Sequence, residues 1–110
     1  MKFYNTKLFL LHIIECAEKL GEITSTTSKV EFLNSWIIQE GNLKNFIVIG
    51  EAVANIDEEI KQKYSHINWR GAKSMRNFIV HEYFSVDLSF VWETILETIP
   101  NFKKMILLKS

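Results

Sequence analysis

The sequence predicts an all-α protein, an up-and-down bundle of four main helices with one shorter helix. Three observations carry this. Apolar residues recur at three- and four-residue intervals along most of the chain, as helices with one buried face require. No segment alternates apolar and polar residues between turn signals, as a half-buried strand would. One proline and four glycines in 110 residues leave little material for turns, which favours a few long helices. A chain of that length forms a single domain, residues 1–110, large enough to bury a modest core without staples.

The first helix is expected from about Asn5 to Leu20. Leu8, Leu11, Ala17 and Leu20 mark its apolar stripe, Phe9, Leu10, Ile13 and Ile14 widen it, and Gly21 ends it. Thr24 to Thr27 form a polar connection. Ser28-Lys29-Val30-Glu31 then matches a capping box, in which the serine accepts from the third helical N–H and the glutamate reaches back. Phe32, Leu33, Trp36 and Ile37 follow at helical spacing, Gly41-Asn42 reads as a break, and Phe46, Ile47, Ile49, Val53 and Ile56 resume the pattern. Gly50 and Ala52 are small enough for a neighbouring helix to approach closely. Glu51 between them reads as a structural anchor, with a hydrogen-bonding partner if it is buried.

Asp57 caps a short helix reaching Lys63-Tyr64, and Asn68 caps a central helix that starts at Trp69. Glu82 falls on that helix's apolar half, so the regular helix ends there. Asp87 caps the closing helix, with Leu88, Val91, Trp92, Ile95, Leu96 and Ile99 as its stripe. Pro100 kinks or ends it. Phe102, Met105 and Ile106 make a last amphipathic turn or two.

Composition narrows the function. Apolar residues at 47 % and charged residues at 24 % are ordinary for a globular protein in water. One cysteine, Cys16, rules out an intrachain disulfide framework and fits a reducing cytoplasm. Leu8 to Leu11 is interrupted by His12 and Glu15 and is not read as a signal peptide. No run approaches the roughly 20 apolar residues of a membrane span, so no membrane partner is expected. His12 and Cys16 are a helical turn apart, but two ligands make no metal site and no partners stand at the right spacing.

Net charge is zero, so the whole molecule is not a polycation for nucleic acid. The distribution is uneven. After the acidic Asp57-Glu58-Glu59, the segment Ile60 to His81 holds Lys61, Lys63, Arg70, Lys73, Arg76, His66 and His81 with no acidic residue. This basic strip leads into Met75-Arg76-Asn77-Phe78-Ile79-Val80-His81-Glu82-Tyr83. On a straight helix Arg76 and His81 lie about 140° apart, with Asn77 between them and Tyr83 close to the Arg76 direction. Ala72, Met75, Phe78 and Ile79 fall on the other half and can dock.

No phosphate loop, dinucleotide fingerprint, zinc cluster or hydrolase elbow is present, and neither is the Gly-Ser with Asp-x-Asp of a nucleotidyltransferase. Arg76 and His81 remain. Together these residue types suffice for metal-free RNA cleavage, because the 2′-hydroxyl is an internal nucleophile already near its phosphorus. Imidazole moves protons near neutral pH, and guanidinium stabilises the charge that builds on the phosphorane. Taken by themselves, an arginine and a histidine on a polar helix face are more often simply solvated groups.

Arg76-x4-His81-x-Tyr83 resembles the R-x4-H-x-Y signature of the HepT-like toxins, within the HEPN group of helical domains. Asn45 to Ala52 resembles the family's preceding segment, and Tyr64 to Trp69 its approach to the central helix. Val86-Asp87, Val91-Trp92 and Pro100 match its closing helix, so roughly Leu43 to Phe102 is covered. The resemblance implies a small cytoplasmic toxin, a metal-independent endoribonuclease that forms a homodimer with paired motifs facing a shared cleft. Arg76 and His81 would be catalytic, with Asn77 in support. A minimal nucleotidyltransferase antitoxin would transfer AMP from ATP to Tyr83, so ATP serves the partner and this chain needs no cofactor or metal. An AMP group within a helical turn of Arg76 and His81 would fill the groove and repel an RNA phosphate. Lys73 and Arg70 are expected RNA contacts from the helical projection. Glu82 puts a negative charge inside the motif. The competing class is therefore a HEPN module that binds nucleotide or RNA for its nucleotidyltransferase partner without cutting.

Overall fold

Side-chain caps divide the chain into its helices. A computed structural model describes residues 2–108, with side chains from residue 6 onward. It contains α1 (Lys2–Thr26), α2 (Lys29–Asn34), α3 (Trp36–Ala54), α4 (Glu58–Lys63) and α5 (Trp69–His81). A 3₁₀ turn (Tyr83–Ser85) follows, then α6 (Leu88–Glu93), a π segment (Thr94–Thr98) and α7 (Ile99–Leu108), the last three running on as one continuous helix. No strand occurs among the described residues. The all-α bundle is therefore the fold, with α1, α3, α5 and the α6–α7 helix as its four long members.

The expected caps at Ser28, Asn68 and Asp87 are present. Ser28 Oγ accepts from the Glu31 N–H at 3.1 Å, and Glu31 Oε1 accepts from the Ser28 N–H at 3.0 Å. Asn68 Oδ1 accepts from Gly71 at 2.9 Å and Asp87 Oδ1 from Phe90 at 3.2 Å. Asp57 precedes α4 without a side-chain cap bond. One cap was not anticipated. Ser35 ends α2 and starts α3, its Oγ accepting from the Ile38 N–H at 3.3 Å, so the stretch after Ser28 is two helices.

Three expected interruptions are absent. α1 continues through Gly21 to Thr26, where the hydroxyls of Thr24, Ser25 and Thr26 bond back to the carbonyls of Gly21 and Glu22. Those bonds satisfy acceptors that a helix end leaves open. α3 runs unbroken through Gly41-Asn42. Asn42 is fully buried there, donating to the Ile38 carbonyl at 2.7 Å. Pro100 does not end the closing helix. The wider π turn just before it, in which the Ile99 N–H bonds the Thr94 carbonyl, carries the chain past the missing proline N–H. That turn also shifts the register. Leu96, expected on the stripe, is 45 % exposed, while Val91, Trp92, Ile95 and Ile99 are buried.

α3 packs between α1 and α5, and α7 packs on α1. Phe32 of α2 reaches Trp92 of α6, with ring centroids 5.4 Å apart. On α1 the buried stripe is Leu10, Ile13, Ala17 and Leu20, and Leu8 and Leu11 face outward. Trp36 and Ile37 are likewise exposed at the start of α3. Cys16 is buried, and desolvation pushes its thiol pKa up. His12 is exposed, so the two do not share a site. Among the described residues no helix is long and apolar enough to cross a membrane.

Candidate functional site

Gly50 sets the distance between α3 and α5. A Cβ there would overlap the Arg76 Cβ and lie 3.2 Å from the Ala72 carbonyl oxygen. Without one, the Arg76 backbone lies directly against α3, and Trp69 and Ile79 of the same α5 face are buried. Trp69 is further tied by its indole N–H, which donates to the Tyr64 carbonyl at 3.2 Å. α5 is thus fixed at both depth and rotation, and its polar side chains inherit that fixity.

The Arg76 guanidinium emerges from this contact between two acceptors. Its Nη1 donates to Glu51 Oε1 at 2.6 Å. Nε and Nη2 both donate to Asn77 Oδ1, at 3.1 and 2.7 Å. Glu51 is therefore anchored as expected, but from an exposed position rather than a buried one. Asn77, expected in a supporting role, steadies the guanidinium. A guanidinium has five N–H donors, so this fork leaves donors free for an incoming anion.

His81 is the last residue of α5 and is exposed. No hydrogen bond joins its side chain to Arg76 or to another described residue, and its imidazole is open to a ligand. The helix ends at Glu82, as its apolar-side position predicts, and the Glu82 carboxylate turns onward to accept from Ser85 Oγ at 3.1 Å. Tyr83 therefore opens the 3₁₀ turn rather than extending the α5 surface. Its hydroxyl reaches across to donate to Glu40 of α3, and its ring meets Phe84 edge-on at 5.4 Å. The Phe84 ring itself is fully exposed.

Lys73 and Arg70 lie one and two turns before Arg76, both exposed. They line a hollow of about 610 Å³ between α4 and the start of α5, together with Lys61 and His66. Lys61 is partly neutralised by Glu58 at 3.9 Å. Four members of the basic strip, Lys61, His66, Arg70 and Lys73, are thus gathered around one hollow, with Arg76 further along α5. No group of three or more His, Cys, Asp or Glu side chains able to hold a metal ion occurs among the described residues.

The model of the HepT-like family, described as ribonuclease HepT-like, matches residues 13–107. The chain belongs to this family. A protein of Caldanaerobacter subterraneus subsp. tengcongensis, provisionally named as an RNase, is 34 % identical over 89 % of this chain and 88 % of its own length. A Thermococcus cleftensis protein, provisionally named ribonuclease HepT, is 34 % identical over 88 % of each. A Methanocaldococcus jannaschii protein named for a gamma-glutamylcyclotransferase and, provisionally, an RNase is 35 % identical over 94 % of this chain. This chain spans 46 % of that protein's length. No solved structure gives a significant match.

Within this HepT-like chain the structure brings together Arg76, Asn77 and Glu51, and separately Tyr83 and Glu40, with His81 exposed at the end of the same helix. Glu40 was not singled out in the sequence. The available signal was its spacing from Glu51, eleven residues or about three turns, which puts both carboxylates on one helix face. Reading Gly41-Asn42 as a break conceals that relation.

Proposed function

We propose that this HepT-like chain is a metal-independent endoribonuclease that acts through Arg76 and His81 and serves as the toxin of a toxin–antitoxin pair. The observation that carries the reading is the guanidinium clamped by Asn77 and Glu51, with an unencumbered imidazole at the end of the same helix. A fixed cation of this kind stabilises charge that develops on a phosphorane without reorganising during the reaction. His81 takes the proton of the 2′-hydroxyl as that oxygen attacks phosphorus. The P–O5′ bond breaks, the leaving oxygen gains a proton, and the products are a 2′,3′-cyclic phosphate and a 5′-hydroxyl.

A homodimer completes the site. Arg76 leaves α5 on the side packed against α3, whereas His81 faces outward, and a second copy supplies the opposing wall of a cleft. Its own His81 provides the proton for the leaving oxygen. Sedimentation at micromolar concentration should give the mass of two chains; a single chain at that concentration opposes the dimer cleft. Tyr83, exposed beside the motif, is the acceptor for AMP from a minimal nucleotidyltransferase antitoxin. The added phosphodiester would stand where RNA phosphate must enter.

Growth and RNA integrity after inducing the wild type and His81→Ala separately test the core of this proposal. Arrest with RNA fragments ending in cyclic phosphate is expected from the wild type alone. Normal growth and intact RNA with soluble, folded wild-type protein would replace the nuclease by a non-cutting nucleotide- or RNA-binding module.

A further inference from the structure

One side of α5 forms one wall of an open groove, and the continuous α6–α7 helix forms the other. The two walls meet through edge-on aromatic pairs, Phe78 with Phe90 at 6.4 Å and Trp69 with Phe102 at 6.3 Å. A space of about 620 Å³ opens along these walls, floored by Phe46 and Ile49 and flanked by Met75 and Met105. That volume is in the range of roughly 300–1,000 Å³ typical of small-molecule sites. Its rim is polar, with Asn68, Ser74, Thr98 and Asn101 bordering the same space.

This lining discriminates among ligands. A purely aliphatic ligand would match the walls and ignore the amides and hydroxyls at the rim. A nucleobase presents a flat π face to aromatic and thioether side chains and a hydrogen-bonding edge to amides. Position gives the second argument. Phe78 lines the groove and is three residues before His81 on α5, so the two side chains are neighbours on the helix surface. A strand with a phosphate at Arg76 and His81 need only turn one base over that edge.

We propose that the groove is a base-binding subsite, holding one unstacked base of single-stranded RNA beside the phosphate at Arg76 and His81. The proposal rests on the ribonuclease reading and gives it a substrate class, unpaired RNA. It assigns Phe78 and the rim of α7 to positioning rather than to chemistry.

The test uses the full chain and end-labelled single-stranded RNA in which each nucleotide around the cleaved bond is replaced in turn by an abasic ribonucleotide. One abasic position is expected to weaken binding by roughly 5- to 150-fold, the effect of losing one stacked base. Asn101→Trp, which fills the groove from an exposed rim position, should bind intact RNA as weakly as the wild type binds the abasic strand. The same abasic position should cost that variant nothing more. Thr98→Trp replaces it if circular dichroism shows Asn101→Trp unfolded. Wild-type RNA binding that no abasic position weakens, or a filled groove that binds intact RNA normally, overturns the subsite. A filled groove that abolishes dimerisation while leaving RNA affinity per chain unchanged assigns the groove to a second copy and also overturns it. Failure of the wild type to bind intact RNA at all overturns the ribonuclease reading first, before any variant is used.

Discussion

Arg76 is held by its neighbours in three ways: its Cβ against the bare backbone of Gly50, one nitrogen on Glu51, and two on Asn77. Only a planar fork can serve both acceptors at once, so Arg76→Lys keeps the charge and loses the geometry. Cleavage measured in single turnover should fall by about 10²–10³, the usual effect of removing a preorganised donor. Urea unfolding should move by less than about 1 kcal/mol, because the ion pair to Glu51 is at the surface and a lysine keeps its charge. A lysine variant with full activity would mean that charge alone suffices. At this scale the residues of the motif were legible from spacing, and their pairing was not. Side chains at adjacent helix positions point about 100° apart and do not normally face each other. Arg76 meets Asn77 because a long guanidinium can fold back over its own helix. Tyr83 escaped the helical projection because the helix stops one residue before Glu82.

Among the elements, α3 carries the clearest contrast between two glycines. Gly50 has no room for a methyl group, whereas a Cβ at Gly41 would have no neighbouring atom within 4 Å. Gly50→Ala should therefore destabilise by about 1–3 kcal/mol through overpacking of α3 on α5. Gly41→Ala should stabilise by roughly 0.5–1 kcal/mol by improving helix propensity. Chemical denaturation of the two variants decides the matter, and equal effects would refute the close approach. The same pair explains a misreading. Glycine inside a helix costs only about 1 kcal/mol, which is a weak stop signal. Packing of α1 and α5 on either side of α3 overrides it. Caps fared better, because a hydroxyl or carboxylate three residues before its target N–H is a local arrangement that sequence displays directly. The π segment was illegible for the opposite reason. Its wider turn answers a missing N–H at Pro100 while keeping Ile95 and Ile99 in the core, a compromise that no fixed helical period contains.

Across the whole molecule, charge balance is zero while the basic groups are concentrated along α5 and its approach. The bundle and its helix order were visible in the periodicity of apolar residues. The exposed Trp36 and Ile37 were not, because the same periodicity cannot tell a core stripe from an uncovered one. One consequence concerns ionic strength. Glu51 already occupies part of Arg76, so that pair brings little net charge to an RNA phosphate. Single-stranded RNA binding loses about 0.7 in log K per tenfold rise in salt for each phosphate neutralised. The wild-type slope should therefore count Arg70 and Lys73 but not Arg76. Glu51→Gln should steepen it by about 0.7, read from titrations over a series of potassium chloride concentrations. An unchanged slope would show that Glu51 leaves Arg76 when RNA binds. Because its counter-ion is a carboxylate of the same chain, this arginine has no salt ion to release when a phosphate arrives, and its share of the binding is buffered against the salt around it.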